Sequence, residues 1–390
     1  MMTQEEALYT EAILLGLRAR HDPTALVALQ NLLATPGFDP AIFQERALHE
    51  GVAPLLYVTL RGRGVLPSTL ETSLRRSYLA LAGRNLLVFR ELSRVLRGLS
   101  DAGIEVVILK GGALAEAVYG NIAVRPMCDI DLLIRRSAVP AALEVLRAEG
   151  YEANEREARA GDTLTYENEI MLRRAGGAPQ MLLEVHWSLL DSPHHQQVIP
   201  MDWFWQTTRP IEIEGVPAKA LGVEAQILHL CGHLLLHHGS GEVLRLLWLH
   251  DIAEVIHSAA EVDWELLAAQ AGACDLVLPV QDVMEELVDR WHLPVPDHAV
   301  AQLRALEPSA DEARVFAWLT APQRPVAQRF AADLAALSDW RTRVRYAYHS
   351  LFPSPSYIMK RYGLPRWLVP IGYPYRWVLG LWSWLARRRR

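Results

Sequence analysis

Apolar residues in the first hundred positions fall at helical spacing. In "TALVALQNLLA" (24–34) and "LLVFRELSRVLRGLSDAG" (86–103) they recur at i, i+3, i+4 and i+7, and Gly103 follows as a C-terminal stop. At residue 104 the pattern changes. "IEVVIL" is short and β-branched, as a buried strand is, and "DIDLLI" (129–134) is a second strand, with the brief helix "GALAEAVYG" between them. "AVPAALEVLRAEG" gives an amphipathic helix closed by Gly150, and "LTYENEIMLRR" and "QMLLEVHWSL" read as strands around the turn "AGGAP". From about 221 to 350 the spacing is helical again, most clearly in "EAQILHLCGHLLLHH" and "EVLRLLWLHDIAEVIH". No internal repeat is seen. The pattern predicts an α+β chain: a helical region over 1–100, an α/β unit with a mixed sheet over 101–220, a helical domain over 221–350, and a tail over 351–390.

Composition narrows this picture. A chain of 390 residues suggests two or three domains, and 51% apolar with 22% charged residues is a folded, soluble composition. The net charge of −6 gives no general nucleic-acid footprint. Cys128, Cys231 and Cys274 are too scattered for a disulfide framework or a CxxC metal site, which fits a reducing cytoplasm, and the acidic "MMTQEEALYTEAILLGL" is unlike a secretory signal. The tail "WLVPIGYPYRWVLGLWSWLARRRR" holds four tryptophans and four consecutive arginines, with Arg376 and two prolines breaking its apolar run. A bilayer span needs about 20 predominantly apolar residues, so the tail is read as packing on the body. A peripheral anchor at the inner face of the membrane is the alternative.

The chemistry concentrates in "ILKGGALAEAVYGNIAVRPMCDIDLLI" (108–134). Side chains alternate along a strand, so Asp129 and Asp131 share a face while Ile130 and Leu132 hold the other in the core. Two carboxylates on one face need positive charge, and a hard divalent cation, Mg²⁺ or Mn²⁺, supplies it. Glu184 shares a face with His186 in "LLEVHW" and completes an acidic triad if that strand lies beside "DIDLLI". Gly111 and Gly112, between a strand and a helix, let backbone N–H groups approach a phosphate. Lys110 and Arg125 are candidate counter-charges.

In this order the elements resemble the nucleotidyltransferases of the DNA polymerase β type, and more closely the bacterial uncharacterised nucleotidyltransferase family. "HEGVAPLLYVTL", "LSDAGIEVVILKGGALAEAVYG", "VRPMCDIDLLI", "LLEVHWSL", "LRLLWLHDIAEVI" and "LFPSPSYIMKRYGL" carry the likeness, from about 48 to 375. The resemblance implies a minimal nucleotidyltransferase domain, with Asp129, Asp131 and Glu184 as metal ligands and Gly111 and Gly112 near the triphosphate of an NTP. The sixteen residues between Gly112 and Asp129 exceed the usual gap, and Met127-Cys128 stands where a serine often precedes the first aspartate.

Three further readings follow. Glu184 and His186 lie roughly 6.5 to 7 Å apart along an ideal strand, so His186 is expected to contact nucleotide or acceptor rather than share a Mg²⁺ shell. His229, His233 and His237 fall on one helix face and are read as lining a domain interface, with His233 or His238 the candidates to face the cleft. Arg245 and Asp251 do not share a helix face, so at most one reaches the site, and Arg245 is the nucleotide-binding candidate. The expected function is metal-dependent transfer of a nucleoside monophosphate from NTP to an acceptor, whether small molecule, peptide or macromolecule, that the sequence does not identify. The alternatives are a catalytically silent membrane-peripheral binding protein on the same fold and an RNA-modifying toxin. The toxin would need a basic track for which the net charge gives no sign.

Overall fold

Asp22-Pro23 and Asp39-Pro40 each start a helix for the same reason. The aspartate carboxylate accepts the backbone N–H two residues on, and proline's fixed φ suits the first turn. These pairs open α2 (Pro23–Leu33) and α3 (Pro40–His49), which pack with α1 (Gln4–Arg18) and α4 (Ala53–Leu60). The computed structural model describes residues 4–153, 168–174, 181–237, 246–321, 330, 334 and 340–387.

The helix α5 (Ser68–Asp101) runs 34 residues, about 51 Å at 1.5 Å per residue. Its Leu70 and Leu74 join the N-terminal core, while Leu92, Val95, Leu96 and Leu99, at i, i+3, i+4 and i+7, pack against the sheet.

The sheet contains β1 (Val106–Ile108), β2 (Asp129–Ile134), β3 (Tyr151–Ala153), β4 (Glu169–Arg174), β5 (Leu182–His186), β6 (Arg209–Ile213) and β7 (Val216–Ala220), in the order β3-β4-β5-β2-β1-β7-β6. It is mixed: β2 runs parallel to β5 and β1 parallel to β7, and the other neighbours are antiparallel. Helices α6 (Lys110–Ala117) and α7 (Val139–Ala148) belong to the same unit. Ile130, Leu132, Ile134, Leu183 and Val185 share one apolar cluster with α5 and α7, which covers the back of the sheet. Asp129, Asp131, Glu184 and His186 alternate with them and occupy the front.

The hairpin β6–β7 was not among the expected strands. Glu214 and Gly215 form its two-residue turn with φ of 49° and 73°, the left-handed pair that a tight hairpin with native twist requires. The turn "AGGAP" lies outside the described residues.

Helix α8 (Val223–Gly232) continues into a π-helical turn, His233–His237, and α9 (Leu246–Ser258), α10 (Trp264–Ala273), α11 (Val277–Asp289), α12 (Asp297–Arg304) and α13 (Ala310–Thr320) follow. An arm of three helices comes next: α14 (Trp340–Leu351), α15 (Pro355–Tyr362) and α16 (Val369–Arg387). The tail does not pack its aromatic residues on the body as expected: Trp367 is 76% exposed and Trp382 68%. The inward side of α16 is instead taken up by α15, where Gly372 sits against Ile358. Among the described residues no helix is long and apolar enough to cross a membrane.

Candidate active site

Parallel pairing of β2 with β5 sets Asp131 opposite Glu184, and antiparallel pairing of β5 with β4 sets His186 opposite Glu169. Paired residues point to the same face, so four acidic groups and one imidazole crowd the front of three adjacent strands. They open into a cleft of about 470 Å³, lined also by Lys110, Gly111, Arg125, Asn168, Asp191, His233 and His237.

Asp131 is the centre. Its Oδ1 accepts a hydrogen bond from Lys110 Nζ at 2.7 Å and lies 3.0 Å from His186 Nε2. The same Nε2 is 3.5 Å from Glu184 Oε2. Burial alone would raise the Asp131 carboxyl, but the Lys110 charge and the His186 hydrogen bond hold it well below the usual carboxylate range. Burial likewise opposes a charged His186 ring, yet the bonds to Asp131 and Glu184 push its pKa up to about 9. Asp129 has no such partner. Burial, then the charges of Asp131 and Glu184, raise it to about 6.

Lys110 reaches Asp131 from an unusual backbone. Its φ of 45° is left-handed for a residue with a Cβ, a conformation that costs energy and persists where the surroundings fix it. A Cβ on Gly111 would meet Met127 Cγ at 2.8 Å and Arg125 Nη1 at 3.2 Å, and one on Gly112 would meet Ile108 Cγ2 at 2.9 Å. The glycines therefore let α6 settle closely on β1, β2 and the 125–127 loop. Gly111 borders the cleft, whereas Gly112 lies beneath it against Ile108 and Ile130.

Arg125 is engaged rather than free. Its Nε and Nη2 donate to Asp251 Oδ2 at 2.9 and 2.8 Å, and Tyr119 donates to Asp251 Oδ1 at 2.8 Å. All three residues are buried. Asn85 of α5 donates to the carbonyls of Ile122 and Arg125, holding the same loop from its other side. Asp251 on α9 thus reaches the site region through Arg125; Arg245 and His238 lie outside the described residues.

His186 was expected to contact nucleotide or acceptor rather than share a Mg²⁺ shell, and the geometry brings its ring beside the carboxylates. Cα spacing separates Glu184 from His186, but their side chains lean together, and ligand atoms of Asp131, Glu184 and His186 lie within 4.8 Å of one another. These three could hold a metal ion, with Asp129 at the rim. The chemistry of the donors fits a divalent cation. Asp129, Asp131, Glu184 and Glu169 outnumber the cations beside them among the described residues: Lys110 and His186 bond to Asp131, and Arg125, which also acts on Asp129, is already paired with Asp251. His186 Nδ1 is 3.1 Å from Glu169 Oε2 without making a hydrogen bond to it.

Glu169 adds to the sequence-derived set, and His229, read from the sequence only as lining a domain interface, lies close to the site's charges. Glu169 was signalled only by its alternation with Ile170, which carries no register. His229 is buried in α8 with neither ring nitrogen hydrogen-bonded, and burial followed by the nearby Lys110 and His186 charges lowers its pKa to about 3. His233 and His237 stack at 5.0 Å and 9° on the cleft wall.

Between them, a mixed sheet carrying clustered carboxylates and a glycine pair opening a helix define a site suited to phosphate chemistry. The profile of the family described as uncharacterised nucleotidyltransferase matches residues 36–289, and the chain belongs to that family. Among solved structures the chain is similar to an antigenic nucleotidyltransferase-like protein from Paracoccidioides brasiliensis, at 18% identity and a TM-score of 0.36, over 57% of this chain and 94% of that one. No curated protein matches it.

Proposed function

We propose that this chain is a metal-dependent nucleotidyltransferase that moves a nucleoside monophosphate from an NTP to an acceptor hydroxyl or phosphate. The observation that carries the reading is the convergence of Asp131, Glu184 and His186, with Asp129 beside them, in one cleft next to Lys110.

Asp131, Glu184 and His186 would hold the cation, with Asp129 turned toward the nucleotide side. When bound, a divalent cation supplies the positive charge that a triphosphate and a deprotonating acceptor require. Lys110, which donates to Asp131 and lines the cleft, is the residue that would offer a positive charge to a phosphate there. Gly111, at the start of α6, borders the cleft where a phosphate would meet the helix N-terminus. Glu184 makes no bond to Lys110 and is the carboxylate assigned to take the acceptor's proton. His233 and His237 form the wall on which a base would rest. Transfer of this kind needs positioning and charge rather than a covalent nucleophile.

Calorimetric titration with Mn²⁺, and then with a non-hydrolysable NTP analogue, tests the assignment. Wild-type protein is expected to bind the analogue only with metal present, and Glu184→Gln to weaken metal binding tenfold or more. Unchanged Mn²⁺ affinity in Glu184→Gln and His186→Ala alike would remove the basis for this reading.

A further inference from the structure

The basic residues of this chain are segregated. Residues 340–390 contain eleven lysines and arginines and no aspartate or glutamate, which leaves 28 basic against 45 acidic residues in the rest. The same stretch holds five of the twelve tryptophans and six of the twelve tyrosines. A net charge of −6 hides this division.

The arm presents an apolar stripe outward. Trp367, just before α16, and Ile371, Tyr375, Val378 and Trp382 along it follow i, i+4, i+8, i+11 and i+15 spacing, one helical face. They are 76, 62, 52, 63 and 68% exposed. The opposite face is fixed inward. Val369 and Gly372 are buried, Tyr373 Oη donates to the Pro353 carbonyl at 3.0 Å, and Arg376 Nη1 donates to that of Ser350 at 2.8 Å. Trp377 Nε1 donates to the Leu351 carbonyl at 3.0 Å. These bonds hold the helix in this rotation, so the stripe faces out by construction. Helix α14 repeats the device with Trp340, Val344, Tyr348 and Leu351 exposed, among Arg341, Arg343 and Arg345.

We propose that the arm of residues 340–387 docks this protein onto an anionic lipid bilayer, with the α16 stripe lying in the headgroup boundary. Three observations select this occupant. A surface without a single acid complements anionic headgroups, and each lysine or arginine near such a surface adds to binding. Tryptophan and tyrosine, with an apolar ring and a polar N–H or O–H, suit the membrane–water boundary. Pro374 and Arg376 interrupt α16, which is not apolar enough to cross, so it lies in the plane. A nucleic acid would use the arginines and stack on rings, but it gives no reason for Ile371 and Val378 to complete an outward line.

The test is co-sedimentation of the full-length chain with phosphatidylcholine vesicles and with vesicles containing 30% phosphatidylglycerol. The variant Trp367→Ser/Trp382→Ser removes two exposed rings and is expected to keep the wild-type melting curve. Wild type is expected to bind the anionic vesicles at least tenfold more tightly than the neutral ones, with a blue shift in tryptophan emission. The variant should lose at least tenfold on the anionic vesicles. The proposal is overturned by absence of binding to anionic vesicles, by equal binding to both vesicle types, or by undiminished binding in the double variant. It is also overturned if the stripe proves to be covered by a second copy, seen as a dimer that the double variant converts to monomer while vesicles bind neither. Capture of single-stranded RNA in place of vesicles has the same consequence.

Discussion

Replacing Asp129 and Asp131 by asparagine, one at a time, should move metal-free stability in opposite directions. The two carboxylates are two residues apart on the same face of β2, but only Asp131 is bonded to Lys110 and His186. Asp129 is raised from 3.8 to about 6 by burial and by the charges of Asp131 and Glu184. A proton held more tightly in the folded state than in the unfolded one means that stability falls as pH rises from about 4 to about 6, and stays lower above that. The displacement corresponds to ~3 kcal/mol, and partial solvent access trims it to ~2 kcal/mol. Asp129→Asn abolishes this loss and should raise the midpoint at pH 7.5 by about 2–3 °C, at roughly 1–1.5 °C per kcal/mol for a chain of this length. Asp131→Asn acts on a buried pair. It leaves Lys110 and His186 facing a neutral amide where Oδ1 of the carboxylate had stood 2.7 and 3.0 Å away. Removing one partner of a buried ion pair costs about 3–5 kcal/mol, or a fall of about 3–8 °C on the same scale. Differential scanning fluorimetry in EDTA at pH 7.5 and at pH 4 reads both, with the Asp129→Asn gain shrinking toward zero at pH 4. Shifts of the same sign for the two variants at pH 7.5 would refute the reasoning.

Other consequences follow from the same geometry. His186 is pushed up to about 9, so its stabilising contribution is complete below pH 6.5 and is lost as pH rises through about 9; metal-free wild type should lose midpoint over that window, and His186→Ala should show a flatter profile in the same scan. Asp251→Asn leaves the Arg125 guanidinium buried without its counter-charge and should cost about 3–5 kcal/mol in a urea melt, with weaker nucleotide binding because the 125–127 loop beside Gly111 is released. Gly112→Ala places a methyl 2.9 Å from Ile108 Cγ2 and should cost about 1–3 kcal/mol by overpacking, measured by the same melt; a neutral result would mean α6 does not depend on that close approach.

Much of the site was legible because strands have a period of two. Asp129 and Asp131 alternate with Ile130 and Leu132, and Glu184 and His186 with Leu183 and Val185, so each pair had to share a face before any register was known. The pairing of β2 with β5 then set Asp131 opposite Glu184. What period alone cannot give is the reach of a side chain. Glu184 and His186 are separated along the backbone yet converge at their tips, because a carboxylate and an imidazole each extend several ångströms from the strand. The link between Arg125 and Asp251 spans 126 positions and leaves no local signal at either end. Hairpin β6–β7 carries a proline in each strand, Pro210 and Pro217, which weakens its strand pattern, and β7 gains its place by pairing with β1 from more than a hundred residues upstream. For the arm, composition revealed an aromatic and basic tail, not its helices. The direction of its stripe depends on Gly372 meeting Ile358, a tertiary contact.

Transfer of a nucleoside monophosphate is the role proposed for Asp129, Asp131 and Glu184. It is tested most directly by incubating the protein, Mg²⁺ and an extract of its own cells with each NTP, labelled in parallel at the α- and γ-phosphate. The α-label is expected to become fixed to an acceptor while γ-label leaves in pyrophosphate, and EDTA, Asp131→Asn and Glu184→Gln are each expected to abolish the transfer. Fixation of γ-label, or α-label transfer that survives both substitutions in folded protein, would contradict it.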